Sequence, residues 1–171
     1  TIDQNIGMFY SEYISPYTGA YGTATTDQPD SENRFFPALG NHDWRIGNCD
    51  GYLDYFTLPG NERYYEIRRG PVAIFVIDSD PHEPDGNTLN STQADWLEGR
   101  MKASDATFKL VTMHHPPYSS GPHGVNTSSQ WPFAEWGADA VLGGHDHIYE
   151  RLVIQGIPYI VNGIGGSWLY D

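Results

Sequence analysis

The sequence predicts an α/β fold in which helices cover the faces of a sheet. Strand-length and helix-period segments alternate through the middle of the 171-residue chain. The strand-like runs are apolar on both faces, as strands are when layers pack on them from either side. The length suits one domain with a single core.

The elements follow in order. Residues 1–33 mix aromatic and small polar side chains, and Pro16, Gly19, Gly22 and Pro29 interrupt any long period, which leaves a short helix over 5–13 and loop beyond it. Residues 35–39 form an apolar run that ends in Gly40-Asn41-His42-Asp43. The stretch 44–62 is irregular, with one helical turn over 52–56. Residues 63–69 alternate like a strand, Gly70-Pro71 turns the chain, and 72–77 is a buried β-branched strand, so the pair reads as a hairpin. A polar loop over 78–90 leads to Ser91 or Thr92, either of which caps a helix running to about Ala103. Trp96, Leu97 and Met101 share one face of that helix. Residues 109–113 form another buried strand, ending in His114-His115-Pro116-Pro117. A long loop through Pro132, a short helix at 133–136 and a strand at 138–142 lead into Gly143-Gly144-His145-Asp146-His147. Two strands at 148–154 and 157–161, joined at Gln155-Gly156, complete the pattern.

Composition narrows the function. Nine basic against 22 acidic residues give a formal charge of −13, which repels nucleic acid and anionic lipid. Hydrophobic residues make up 39% of the chain and aromatic residues 14%, ample for a packed interior and unlike a disordered chain. No run approaches the roughly 18 to 20 apolar residues of a membrane-spanning helix. Cys49 is the lone cysteine, so an internal disulfide framework and a Cys-based zinc site are both excluded. Lys102 and Lys109 are its two lysines, a scarcity that favours an extracellular or periplasmic setting. Asn90-Ser91-Thr92 and Asn126-Thr127-Ser128 would accept glycans in a protein secreted from a eukaryotic cell. Thr1 is not an initiator methionine, and the expectation is that the translated protein starts upstream.

Three times an apolar run ends in hydrogen-bonding or metal-binding side chains: Asn41-His42-Asp43, His114-His115 and His145-Asp146-His147. Neighbouring strands would bring these ends to one concave spot. Five of the seven histidines lie in these clusters, and His123 follows nine residues after His114. Imidazole suits Zn, Fe and Mn, and amide or carboxylate oxygen completes such a set. In an extended stretch His145 and His147 face the same way, while Asp146 points elsewhere and orients an imidazole from behind. Adjacent His114 and His115 cannot easily share a metal, so one is a ligand and the other packs or supports it.

The blocks Gly40-Asn41-His42-Asp43, Val111-Thr112-Met113-His114 and Gly144-His145-Asp146-His147 resemble three ordered signatures of the calcineurin-like metallophosphoesterases. Ile148-Tyr149-Glu150-Arg151 is similar to the purple acid phosphatase branch. The resemblance runs from about Phe35 onward. It implies a β-sandwich flanked by helices, incomplete at both ends, with residues 1–171 forming the C-terminal part of one catalytic domain. It further implies a site of two divalent or trivalent ions of Fe, Zn or Mn, with Asn41, His114 and His145 on one and His147 on the other. A bridging hydroxide would attack a phosphate ester. His42 would protonate the leaving group or donate to it, Asp43 would steady His42, and His123 would bind substrate. Tyr149, Glu150 and Arg151 would be structural.

The departures carry equal weight. The family's upstream Asp-x-His or Asp-x-Gly block and its Gly-Asp block, which hold most of the first ion, do not occur before Asn41. The alternative is therefore a catalytically incomplete scaffold, with aromatic-rich stretches such as 10–21 as a contact surface for a protein partner. A third reading, a mononuclear zinc hydrolase on His114, His145 and His147, leaves the Asn41 block without a task.

Overall fold

The computed structural model describes residues 1–22, 32–45, 47–165 and 168–170. The chain is helical from Asp3 to Tyr13 in three pieces: a wide turn over Asp3–Gly7, α1 at Met8–Tyr10 and a tight turn over Ser11–Tyr13. Two short helices follow, α2 (Asn41–Trp44) and α3 (Asp50–Tyr55). The hairpin β1 (Tyr65–Arg69) and β2 (Val72–Val76), the helix α4 (Thr92–Ala103), and the strands β3 (Phe108–Thr112), β4 (Ala140–Gly143), β5 (Tyr149–Ile154) and β6 (Ile157–Asn162) make up the rest. The Gly70-Pro71 and Gln155-Gly156 turns join the hairpins where the sequence placed them. Residues 133–137 form turns rather than the expected short helix. The predicted run at 35–39 is not a strand, and Leu39 instead packs fully buried beneath α2 and α3.

The expected α/β class takes the form of one six-stranded sheet ordered β1-β2-β3-β4-β6-β5. The inner strands β2, β3, β4 and β6 run parallel, and an antiparallel strand closes each edge. Alternation along β2 explains why both faces are covered. Ala73, Phe75 and Ile77 enter a core with Leu97 and Met101 of α4, whereas Ile74 and Val76 join Tyr52, Phe56, Tyr65 and Ile67 on the other side.

Helix α4 begins where the sequence places it, because Ser91 Oγ accepts from Ala94 N–H at 3.1 Å. Gln93 gives that helix a second task. Its amide accepts from Asp78 N–H at 2.7 Å and donates to Asp78 C=O at 2.9 Å, which pins the end of β2 beneath the functional face.

Candidate metal centre

Hydrogen bonding continues one residue past each inner strand. Ile77 N–H donates to Thr112 C=O at 3.0 Å, Met113 N–H to Leu142 C=O at 3.0 Å, and Gly144 N–H to His114 C=O at 2.9 Å. This holds Asp78, His114 and the start of the His145 segment level at the carboxyl edge of the sheet. Asn41 reaches the same place from α2, which is not a strand end. Trp44 Nε1–H donates to the fully buried Asp78 Oδ2 at 2.8 Å and so ties α2 to the end of β2. Gly40 lets the turn sit against His114, because a Cβ there would lie 2.9 Å from the ring Cγ.

The result is a convergence of three donor atoms. Asn41 Oδ1 and His145 Nδ1 each lie 3.0 Å from His114 Nε2. Burial, then the neighbouring His115 and His145 rings, push His114 down to about 3, and burial followed by His115 pushes His145 down to about 4. Both rings therefore stay neutral near pH 7 with lone pairs to give. One proton shared among three such atoms is a weak arrangement, whereas a cation would take a lone pair from each. Two imidazoles and an amide oxygen fit Zn, Fe or Mn. A nitrogen of His115 falls in the same cluster, and this trio of histidines is the one group of metal-capable His, Cys, Asp or Glu atoms found within 4.8 Å of one another among the described residues.

The other predicted residues are held differently. His147 Nδ1 lies 2.8 Å from Trp168 C=O, and its ring stacks on Tyr170 at 5.0 Å. His123 Nε2 lies 2.8 Å from Tyr170 OH, with its ring centroid 4.2 Å from that of His145. His42 is exposed on the first turn of α2. Asp43 Oδ2 accepts from Gly40 N–H at 2.9 Å, so it steadies the turn beneath His42 rather than the ring itself.

Two expectations about the 145–147 segment are corrected. The segment is not extended: His145 has φ +62°, and Asp146 N–H and Ile148 N–H each donate to the carbonyl two residues back, to Gly144 and Asp146, at 2.7 and 2.8 Å. Period-two alternation therefore does not apply. Asp146, fully buried, orients no imidazole; it accepts from Ser119 Oγ at 2.5 Å and His123 N–H at 3.0 Å, fixing the loop that carries His123. Glu150 holds the same loop through Ser120 N–H at 2.9 Å and Ser120 Oγ at 2.5 Å.

Sequence reasoning missed Trp44, Asp78 and Gln93, which place the donors from behind, and it missed Tyr170. An Asp directly after a fully apolar strand was a signal for Asp78; nothing in the sequence marked the other three. Beside the donor atoms lies a cleft of about 250 Å³ that includes Ser79, His115, His123 and His145 in its lining.

The sequence profile of the calcineurin-like phosphoesterases matches residues 10–149. Purple acid phosphatase 7 of Arabidopsis thaliana is 27% identical over 81% of this chain and 50% of its own length. Purple acid phosphatase 17 of the same plant is 26% identical over 96% of this chain and 56% of its own length. The chain thus spans about half the length of these curated relatives. Among solved structures, the yellow lupin purple acid phosphatase PPD1 superposes with a TM-score of 0.63 at 19% identity, covering 78% of this chain and 29% of that one. GAP50 of Plasmodium superposes with a TM-score of 0.55 at 20% identity, covering 80% and 52%.

Proposed function

Since the chain belongs to the calcineurin-like phosphoesterase family, in its purple acid phosphatase-like branch, we propose that the intact protein hydrolyses small-molecule phosphate esters at a two-metal centre. The observation that carries this reading is the meeting of Asn41 Oδ1 and His145 Nδ1 on His114 Nε2. When bound, a pair of Fe, Zn or Mn ions supplies a hydroxide nucleophile from water and screens the phosphoryl charge. This chain's residues do the rest. Asn41, His114 and His145 hold one ion, and His147 contributes to the other. His42, exposed at the start of α2, donates a proton towards the leaving oxygen, while Asp43 fixes the turn beneath it through Gly40 N–H. His123 binds the phosphoryl group from the loop that Asp146 secures. No helix among the described residues is long and apolar enough to cross a membrane. The lysine scarcity supports an extracellular or periplasmic setting.

The test is His145→Ala in the intact protein. Loss of one transition-metal ion per chain together with loss of turnover of an aryl phosphate supports the assignment; unchanged turnover overturns it. A second reading has its own support. No carboxylate joins the histidine cluster among the described residues. A neighbour in fold, GAP50, is described as an anchor in the inner membrane complex of Plasmodium. A non-catalytic scaffold predicts at most one ion per chain in the intact protein and no turnover.

A further inference from the structure

His115 has no task in the reading above, yet it borders both the donor atoms and the cleft. Its ring centroid lies 4.5 Å from that of His145 and 4.8 Å from that of His114. Ser79, 1% exposed, decides what the ring can do. Ser79 Oγ accepts from His115 N–H at 2.8 Å and lies 3.0 Å from His115 Nδ1. The hydroxyl proton of this buried serine needs an acceptor, and Nδ1 lies within its reach. With that bond made, a neutral ring carries its proton on Nε2 and is a hydrogen-bond donor there. Coordination through Nε2 would require the opposite tautomer, in which Nδ1–H donates to Ser79 instead.

The cleft shows what lies beyond. Asn87 Nδ2 donates to Ser79 C=O at 3.1 Å, and Asn126 Nδ2 approaches the same carbonyl at 3.5 Å and Ser129 Oγ at 3.0 Å. With their amino groups committed, both amides leave Oδ1 without a donor among the described residues. Ser128 adds a hydroxyl to the lining, and no Lys, Arg, Asp or Glu lines the cleft among the described residues. About 250 Å³ lies below the usual range for drug-sized ligands, so the space suits a small group.

Resting on the phosphoesterase reading, we propose that His115 is a substrate-binding residue, held by Ser79 as a donor to the phosphoryl oxygens, and that the cleft receives a small, uncharged, hydroxyl-bearing leaving group such as a polyol. The two Asn Oδ1 atoms accept its hydroxyls.

The test uses the intact zinc-loaded protein as wild type, His115→Phe and Asn87→Ala. Calorimetry measures dissociation constants for the non-hydrolysable phosphonate analogues of glycerol 3-phosphate and phenyl phosphate, and elemental analysis gives zinc per chain. His115→Phe weakens both ligands about tenfold with zinc content unchanged. Asn87→Ala lowers the preference for the glycerol analogue over the phenyl analogue several-fold. Loss of zinc in His115→Phe, unchanged affinities, or an unchanged preference in Asn87→Ala overturns the proposal. Imidazole nitrogen shifts supply a readout independent of ligand: protonation at Nε2 of His115 supports it, and protonation at Nδ1 overturns it. Binding is read without turnover. A protein that binds both analogues in this pattern but hydrolyses neither ester supports the proposal and overturns the hydrolase reading alone.

Discussion

His114 and His145 follow two hydrogen-bonded parallel strands, and their ring nitrogens sit 3.0 Å apart, whereas His123 and His147 are each tied to the 168–170 segment. The first pair is placed by the sheet. The second is placed by loop contacts: the Asp146 carboxylate under His123, the Trp168 carbonyl on His147 and the Tyr170 ring between them. The difference teaches that strand order alone brings metal-capable side chains together only where neighbouring parallel strands end side by side. Away from those ends, position depends on hydrogen bonds that a sequence does not advertise.

Substitution at Gly40 is the largest way to break this contrast. In Gly40→Ala the new Cβ would meet the His114 ring at 2.9 Å and drive it from Asn41. Metal affinity at the first pair should fall about 10- to 100-fold, the range for groups that orient ligands. His147→Ala, by contrast, should leave one ion bound as tightly as in wild type. Competition against a chromophoric chelator measures both, and equal losses in the two variants would erase the distinction between the halves.

Asp146 is the hinge between the halves, and its removal should be felt as stability. Asp146→Ala leaves Ser119 Oγ and His123 N–H without their buried acceptor, at a cost of about 3 kcal/mol. Urea unfolding measures that loss, and amide exchange should rise across residues 119–123. A loss below about 1 kcal/mol would mean that Glu150 carries the loop by itself.

These cases show which parts of the molecule were legible. The hairpins, α4 and the α/β class could be read because apolar periodicity and turn chemistry are local. That Asn41, His114 and His145 would meet could be read because each block stands in a recognisable setting. The failures were long-range. Nothing between Trp44 and Asp78, 34 positions apart, says that an indole would tie α2 to β2. The run at 35–39 has strand-like residues but found a place beneath two helices instead. The left-handed His145 defeated alternation, since a non-glycine residue at φ +62° has no local signature.

The buried groups behind the first pair also give it a distinctive response to pH in the metal-free protein. His114 and His145, lowered to about 3 and 4, contribute stability that is complete above their unfolded value near 6.5 and is lost as the pH falls towards 4. Asp78 works in the opposite sense. Burial pushes it up to about 8, so the folded state binds its proton more tightly than the unfolded chain does, and stability falls as the pH rises from about 4 to 8. The two trends oppose each other between 4 and 6.5, and Asp78 acts alone among these three above that. Urea midpoints should therefore decline from pH 6.5 to pH 8. Trp44→Phe, which removes the indole donor to the carboxylate, should steepen the decline. A midpoint in Trp44→Phe that does not vary over this interval would show that Asp78 is already ionised in the folded protein.

The smallest expected effect concerns the second pair. Tyr170→Phe removes the phenol that meets His123 Nε2 and keeps the ring that stacks on His147. A single bond to an exposed histidine contributes little, so global stability should change by less than about 1 kcal/mol and zinc content should hold. The informative readout is the His123 ring. If the phenol holds it, the ring gains motion on the nanosecond scale in Tyr170→Phe while its backbone, still donating to Asp146, does not. If ring and backbone loosen together, the 168–170 segment supports the whole loop, and His123 and His147 belong to one cooperative unit rather than to two separately tethered residues.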